Sequence, residues 1–226
     1  TTRYDGPDGF PVGVQRPLAA LISGGIDSPV AAYEVMTRGA DIEPVYFYNR
    51  PFASGDHLAR FEAVLARLVR LHPGKDWGYH LVDMIKPNEA LLSIDRGRML
   101  LHRRIMFSVA ERIAADRGLA GIVTGEAIGQ KSSQTTANLE LTTSGITLPI
   151  HRPLLTQPKE SITETARSLG TFEAATIPSA CRSLAPDTPA TSMDPTRLDA
   201  LADRIDLGEL IDRAFDGTEY RTFSGL

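Results

Sequence analysis

The chain has 226 residues, 42% hydrophobic and 23% charged, which fits one soluble α/β domain or a domain with a small appendage. A net charge of −4 argues against a broad basic surface for nucleic acid, and no apolar run reaches the length of a membrane span. The one cysteine, Cys181, excludes an internal disulfide and a multi-thiolate zinc or iron–sulfur site within one chain.

The N-terminal TTRYDGPDGF lacks the charged-then-apolar order of a signal peptide, so the expected location is the cytoplasm, with no membrane partner. Residues 1–17, punctuated by Gly and Pro, are expected to lie extended over the surface. They precede a main domain over residues 18–195 and a helical tail over residues 196–226 packed on it. The periodicity predicts a strand over residues 18–22 and a helix to about Arg38, with Ser28 as its cap and Pro29 at its first position. DIEPVYFYN reads as a second strand, rich in β-branched and aromatic residues. DHLARFEAVLARLVRLH spaces Leu58, Phe61, Leu65 and Leu68 as a helix, stopped by Pro73 and Gly74.

YHLVDM is a third strand, MLLHRRIMFSVAERIAADRG a long helix ended by Gly118, and GIVTGEA a fourth strand running into a loop. A fifth strand lies near ITLPIHRPL, where Pro149 and Pro153 predict an irregular or edge position. KESITETARSLG is a helix closed by Gly170. The tail is helical from Thr196 to about Phe215, and the final FSGL is expected to fray.

Strands alternating with helices predict a Rossmann-like parallel sheet of about five strands with helices on both faces. Ligands of such sheets bind beyond the carboxyl ends of the strands. That rule gathers the SGGIDS turn, the loop after VYFYN, the TGEAIGQ loop and HRPLL at one edge.

Ser23, Gly24, Gly25, Asp27 and Ser28 form a phosphate-turn candidate, since glycines allow close approach and the following helix offers free N–H donors. Asp27 repels an anion directly, so it either binds Mg²⁺ carried by the phosphates or caps the helix. TGEAIGQKSSQTTANL, with Gly125, Gln130, Ser132, Ser133, Gln134 and Thr135, suits recognition of a base or ribose, or is a polar surface loop. Arg103, Arg104, Arg152 and Lys159 are candidate cations for phosphate or acceptor. Adjacent Arg103 and Arg104 point about 100° apart on a helix and cannot both face the site. Lys159 follows Pro158 at a helix start, where the dipole disfavours a cation unless an anion is near; a solvated surface lysine is the alternative. Cys181, in IPSACRSLAPD, is either a small buried hydrophobe or a thiol activated by the neighbouring arginine. None of the five histidines has metal-ligand spacing, and no GxSxG turn supports a serine hydrolase.

Taken together, SGGIDSP resembles the PP-loop of the ATP pyrophosphatases. PVGVQ, HRRIM, TGEAIGQKSSQT…NL, RPLL…KESI and IPSAC occur in the order seen in the ThiI-type tRNA 4-thiouridine synthetases. The resemblance runs from about Pro11 to about Cys181. It implies an adenine-nucleotide α-hydrolase-like fold, ATP and Mg²⁺ as cofactors, and adenylation of a tRNA uridine whose oxygen is then replaced by sulfur. It further implies a PP-loop at Ser23, Gly24, Gly25, Asp27 and Ser28, a catalytic lysine at Lys159, and adenylate contacts at Arg104, Gly125 and Gln134. Cys181 matches the sulfur-bearing cysteine.

The family pattern also includes an N-terminal ferredoxin-like and THUMP region, and in bacterial members a rhodanese domain, neither of which these residues match. Some archaeal members carry a CxxC pair; with one cysteine, no iron–sulfur cluster is expected within one chain. The sulfur donor is then external, a persulfide carrier or sulfide, with reduction from outside. RSLAPDTPATSMD also departs from the basic stretch usual after the cysteine. A small-molecule acceptor (a purine or thiamine precursor), an amide-forming relative and a non-catalytic ATP-binding subunit are the alternatives. Pairing into a homodimer is open.

Overall fold

The apolar run at residues 18–22 is the buried end of a longer strand, β1 (Phe10–Leu21), whose first half is exposed or half-buried. In the computed structural model, residues 9–53, 55–73, 75–131, 134–177, 184 and 190–223 are described. The chain continues through α1 (Asp27–Thr37), β2 (Arg38–Tyr48), α2 (Gly55–Val69), β3 (Gly78–Asp83), α3 (Ile85–Leu91) and α4 (Arg98–Arg117). There follow β4 (Ile122–Val123), α5 (Thr136–Thr142), β5 (Ile150–His151), α6 (Lys159–Ser168) and α7 (Thr171–Ala175). The last elements are α8 (Pro195–Arg204), α9 (Leu207–Asp216) and β6 (Glu219–Thr222).

The sheet order is β5-β4-β1-β2-β3-β6, with β1 to β5 parallel to their neighbours and β6 antiparallel to β3. The expected Rossmann-like arrangement is present, but as six strands in a mixed sheet rather than about five parallel ones. β6 was not foreseen because EYRT is short, half charged and mostly exposed; its backbone pairing with β3 holds it, not an apolar pattern. Alternation along the strands sends side chains to two cores. Ala19, Leu21, Val45 and Phe47 pack with Leu101, Ile105 and Val109 of α4 and with Leu198 and Leu210 of the tail. Ala20, Ile22, Ile42 and Tyr46 pack with α1, α2 and α6 on the other face. There Phe61 stacks on Tyr46 at 4.3 Å and meets Tyr79 edge-on at 4.9 Å.

Several boundaries differ from expectation. β1 reaches back to Phe10 through two register irregularities, so Gly13 and Pro17 fall at irregularities within a strand rather than in a loop. α1 starts at Asp27 with Ile26 as its uncapped N-cap residue, so Ser28 is not the cap and Pro29 is third in the helix. Part of the polar loop, TANLELT, is helical (α5), with Thr135 capping it by accepting from the Asn138 N–H. The tail is two helices, broken at Asp206 in left-handed conformation (φ 48°). α6 is the predicted helix closed by Gly170 (φ 69°), and the short α7 that follows was not foreseen. β5 is an edge strand, as the two prolines indicate. Ser224, Gly225 and Leu226 of the final FSGL lie outside the described residues. Among the described residues no helix is long and apolar enough to cross a membrane.

Candidate active site

In the sheet order, β1 has β2 on one side and β4 on the other, so the direction of chain progression reverses between β1 and β4. A crevice opens at such a point because successive crossovers leave in opposite directions. Here it is a cavity of about 520 Å³, lined by Ser23 and Asp27 after β1, Gly125 and Glu126 after β4, and Arg103 and Lys159 from α4 and α6. That volume suits a nucleotide-sized ligand.

The turn after β1 is wired internally. Ser28 Oγ accepts from the Ser23 N–H at 3.0 Å and lies 3.3 Å from Ser23 Oγ, which in turn accepts from the Gly25 N–H at 3.3 Å. Gly24 has φ +72°, and a Cβ there would lie 3.0 Å from Phe61 Cα, so only glycine fits. Gly125 has a different reason: a Cβ would come within 2.7 Å of Ser28 N and 2.8 Å of the Asp27 carbonyl carbon. The β4 loop therefore lies flush against the first turn of α1, whose Asp27 and Ser28 line the cavity.

Lys159 is the first residue of α6, with Pro158 before it. Its Nζ donates to Asp27 Oδ1 and lies 3.5 Å from Gln130 Oε1. Asp27 supplies the anion that a cation at a helix N-terminus needs. Arg103 Nη1 donates to Glu126 Oε1 at 2.5 Å and Arg152 Nε to Glu126 Oε2 at 2.8 Å. Gln134 is buried, and its Oε1, like Gln130 Nε2, has no partner among the described residues. Lys131 also lines the cavity.

Of the residues singled out from the sequence, Ser23, Gly25, Asp27, Ser28, Arg103, Gly125, Gln134 and Lys159 line one space, and Gly24 shapes its rim. Arg104 does not line it: its Nε donates to the Leu141 carbonyl at 2.8 Å and Nη1 to Asp199 at 2.6 Å. Arg152 reaches Glu126 but lines a neighbouring cleft. That cleft is larger, about 930 Å³, but runs along Glu34 and Arg38 at the far end of α1, away from the phosphate turn. Cys181, Ser132 and Ser133 lie outside the described residues. Glu126 was not picked out beforehand, because nothing in the spacing of positions 103, 126 and 152 pairs them; a carboxylate at the end of an apolar strand was the available signal. Among the described residues no group of three or more His, Cys, Asp or Glu could hold a metal ion.

The family model described as thiamine biosynthesis protein (ThiI) matches residues 13–207. A probable tRNA sulfurtransferase of Halobacterium salinarum is 48% identical over 192 residues, covering 84% of this chain and 49% of that protein. The one from Thermus thermophilus is 35% identical over 229 residues, covering 98% of this chain and 55% of that protein. A crystal structure of a 4-thiouridine synthetase–RNA complex with bound ATP matches with TM-score 0.88 and 34% identity, over 96% of this chain and 57% of that one. NMN synthetase from Francisella tularensis, at 15% identity and TM-score 0.53, shares the fold alone. The chain spans about half the length of the curated relatives it matches. The matched residues take in every cavity-lining side chain described above, and the chain belongs to the ThiI family.

Proposed function

We propose that this chain carries the ATP-using, sulfur-transferring part of a tRNA 4-thiouridine synthetase. The observation that carries the reading is the serine- and glycine-built turn at the β1/β4 crevice, closed by the Asp27–Lys159 pair. N–H groups of the first turn of α1 and the Ser23 and Ser28 hydroxyls would hold phosphate oxygens, and Lys159 and Arg103 would offset charge developing on them. Mg²⁺ bound with ATP would add Lewis-acid polarisation, with Asp27 as its protein ligand.

In this reading, O4 of a tRNA uridine attacks the α-phosphate and pyrophosphate leaves. The terminal sulfur of a Cys181 persulfide then attacks C4, and AMP departs with the original oxygen. An external thiol reduces the remaining S–S bond and releases the thiolated base. Sulfur reaches Cys181 by exchange with a persulfide carrier, whereas free sulfide would attack C4 of the adenylate directly without a persulfide; the setting is the cytoplasm. A homodimer would widen the surface offered to tRNA. A thiamine precursor as acceptor is the second reading, favoured by the family's description as a thiamine biosynthesis protein.

The test is nucleoside mass spectrometry on unmodified tRNA incubated with the chain, Mg²⁺-ATP, a persulfide-loaded sulfur carrier and a thiol reductant, beside Cys181→Ser. ATP-dependent 4-thiouridine that disappears in the variant supports the reading. Product that survives in the variant overturns the role of Cys181. Conversion of ATP to AMP only when a thiamine precursor replaces tRNA moves the acceptor to the second reading, and absence of any ATP cleavage or binding overturns both.

A further inference from the structure

Glu126 is 1% exposed, yet both of its oxygens are taken by cations that come from different parts of the fold. Arg103 reaches it from the middle of α4, and Arg152 from the residue after β5. The two guanidinium side chains are only 17% and 18% exposed. Arg103 Nε and Arg152 Nη2 are buried without a partner among the described residues. Two cations on one carboxylate leave an excess positive charge where little water reaches it, and each arginine keeps a donor unfilled. A cluster serving packing alone is expected to balance its charge and fill its donors. An anion beside Arg103 would offset the excess charge. Arg103 lines the cavity that also holds Ser23, Asp27 and Lys159, so the anion belongs there.

We propose that Glu126 is a positioning residue, which holds the Arg103 guanidinium toward the phosphate chain of the bound nucleotide, with Arg152 as the counter-anchor on its second oxygen. This rests on the ATP reading above. A free arginine loses much rotamer freedom when it grips a phosphate; one already clamped on a buried carboxylate has lost it on folding. The clamp also keeps Arg103 from collapsing onto Asp27, which leaves that carboxylate to Lys159.

The test is calorimetric titration of the chain with Mg²⁺-ATP and, separately, with adenosine, which lacks the phosphates. Glu126→Gln keeps the shape but removes the charge that orients the arginines. The expected result is a loss of about tenfold or more in ATP affinity, with adenosine changed by less than about twofold. In an Arg103→Lys background, the Glu126 substitution should add less than about twofold to the loss of ATP affinity. Unchanged ATP affinity, or equal losses for ATP and adenosine, overturns the proposal, the latter by showing a general structural role. Wild-type chain that binds neither ligand overturns the ATP reading itself, and this inference with it. Should Glu126→Gln fail to fold, Arg103→Lys alone carries the test: it retains the charge without the fork, and unaltered ATP affinity there overturns the proposal.

Discussion

Asp27 and Lys159 are the first residues of two helices, α1 and α6, that lie 132 positions apart in the chain, and they meet in an ion pair at the cavity. Lys159 is nearly half exposed and Asp27 a quarter exposed, so the pair adds little to stability; exposed pairs are worth about 0–1 kcal/mol. Its position is therefore better explained by charge placed for a reaction. Lys159→Met is expected to lower kcat for AMP formation by about 100-fold or more, with Tm within about 3 °C of wild type. Steady-state kinetics and a thermal melt on the same preparation check this. A Tm loss as large as that of a core variant would assign Lys159 to the fold instead.

Gly125 separates two kinds of glycine requirement. Its backbone is not left-handed, but an added Cβ would meet three backbone atoms of Asp27 and Ser28 within 2.9 Å. Gly125→Ala must push the β4 loop off α1, at a cost of about 1–3 kcal/mol, and should abolish measurable ATP binding. Gly118→Ala is the control: φ is +66° but nothing lies within 4 Å, so it costs about 1 kcal/mol of strain and leaves ATP affinity unchanged. Chemical denaturation with ATP titration distinguishes the two.

What was legible beforehand follows from what the sequence records locally. Ser23, Gly24, Gly25, Asp27 and Ser28 are contiguous, so their turn is visible as a motif, and Lys159 stands out against a helix dipole. The unbroken apolar and aromatic run VYFY and helical spacing around Phe61 and Leu65 reflect burial directly. The Glu126 cluster joins three segments through the tertiary fold and leaves no such trace. Arg103 and Arg104 show the same limit: helical geometry says that one of them faces the site, and only the packing of α4 says that it is Arg103. β6 was hidden because an edge strand can be held by main-chain pairing alone.

The break in the tail is held by one side chain. Asp206 takes a left-handed conformation and accepts from the Glu209 N–H at 3.1 Å, starting α9 at an angle to α8. Asp206→Ala loses that cap and the short polar side chain that helps a residue hold the left-handed conformation, a loss of about 1–2 kcal/mol in urea unfolding. Asp206→Asn keeps both features and should stay within about 0.5 kcal/mol of wild type. Equal losses in the two variants would show that charge, and not geometry, matters there.

His102 sets the acid limit of the fold. It is fully buried on α4, and Asn49 Oδ1 accepts from its Nε2 at 2.8 Å, which ties the loop after β2 to the helix. Burial, reinforced by the neighbouring Arg103 charge, pushes its pKa down from 6.5 to about 4. The folded protein thus keeps His102 neutral while the unfolded chain protonates it below pH 6.5. Between pH 6.5 and about 4 the unfolded state binds more protons, so stability falls as pH falls, by at most about 3 kcal/mol. Glu43 and Glu111 also lose stability with acid. Burial raises each pKa, but hydrogen bonds from His80 and Arg117, and from Thr147 and Leu148, hold both carboxyls below 4.5, so their loss comes below that pH. His57, lowered by partial burial and by Arg60, adds a slope common to wild type and variant. His102→Gln keeps a donor for Asn49 without a titrating ring. Its Tm should therefore fall less steeply than that of wild type from pH 6.5 to 4.5, and parallel slopes in that window would mean that His102 takes up its proton without leaving the core.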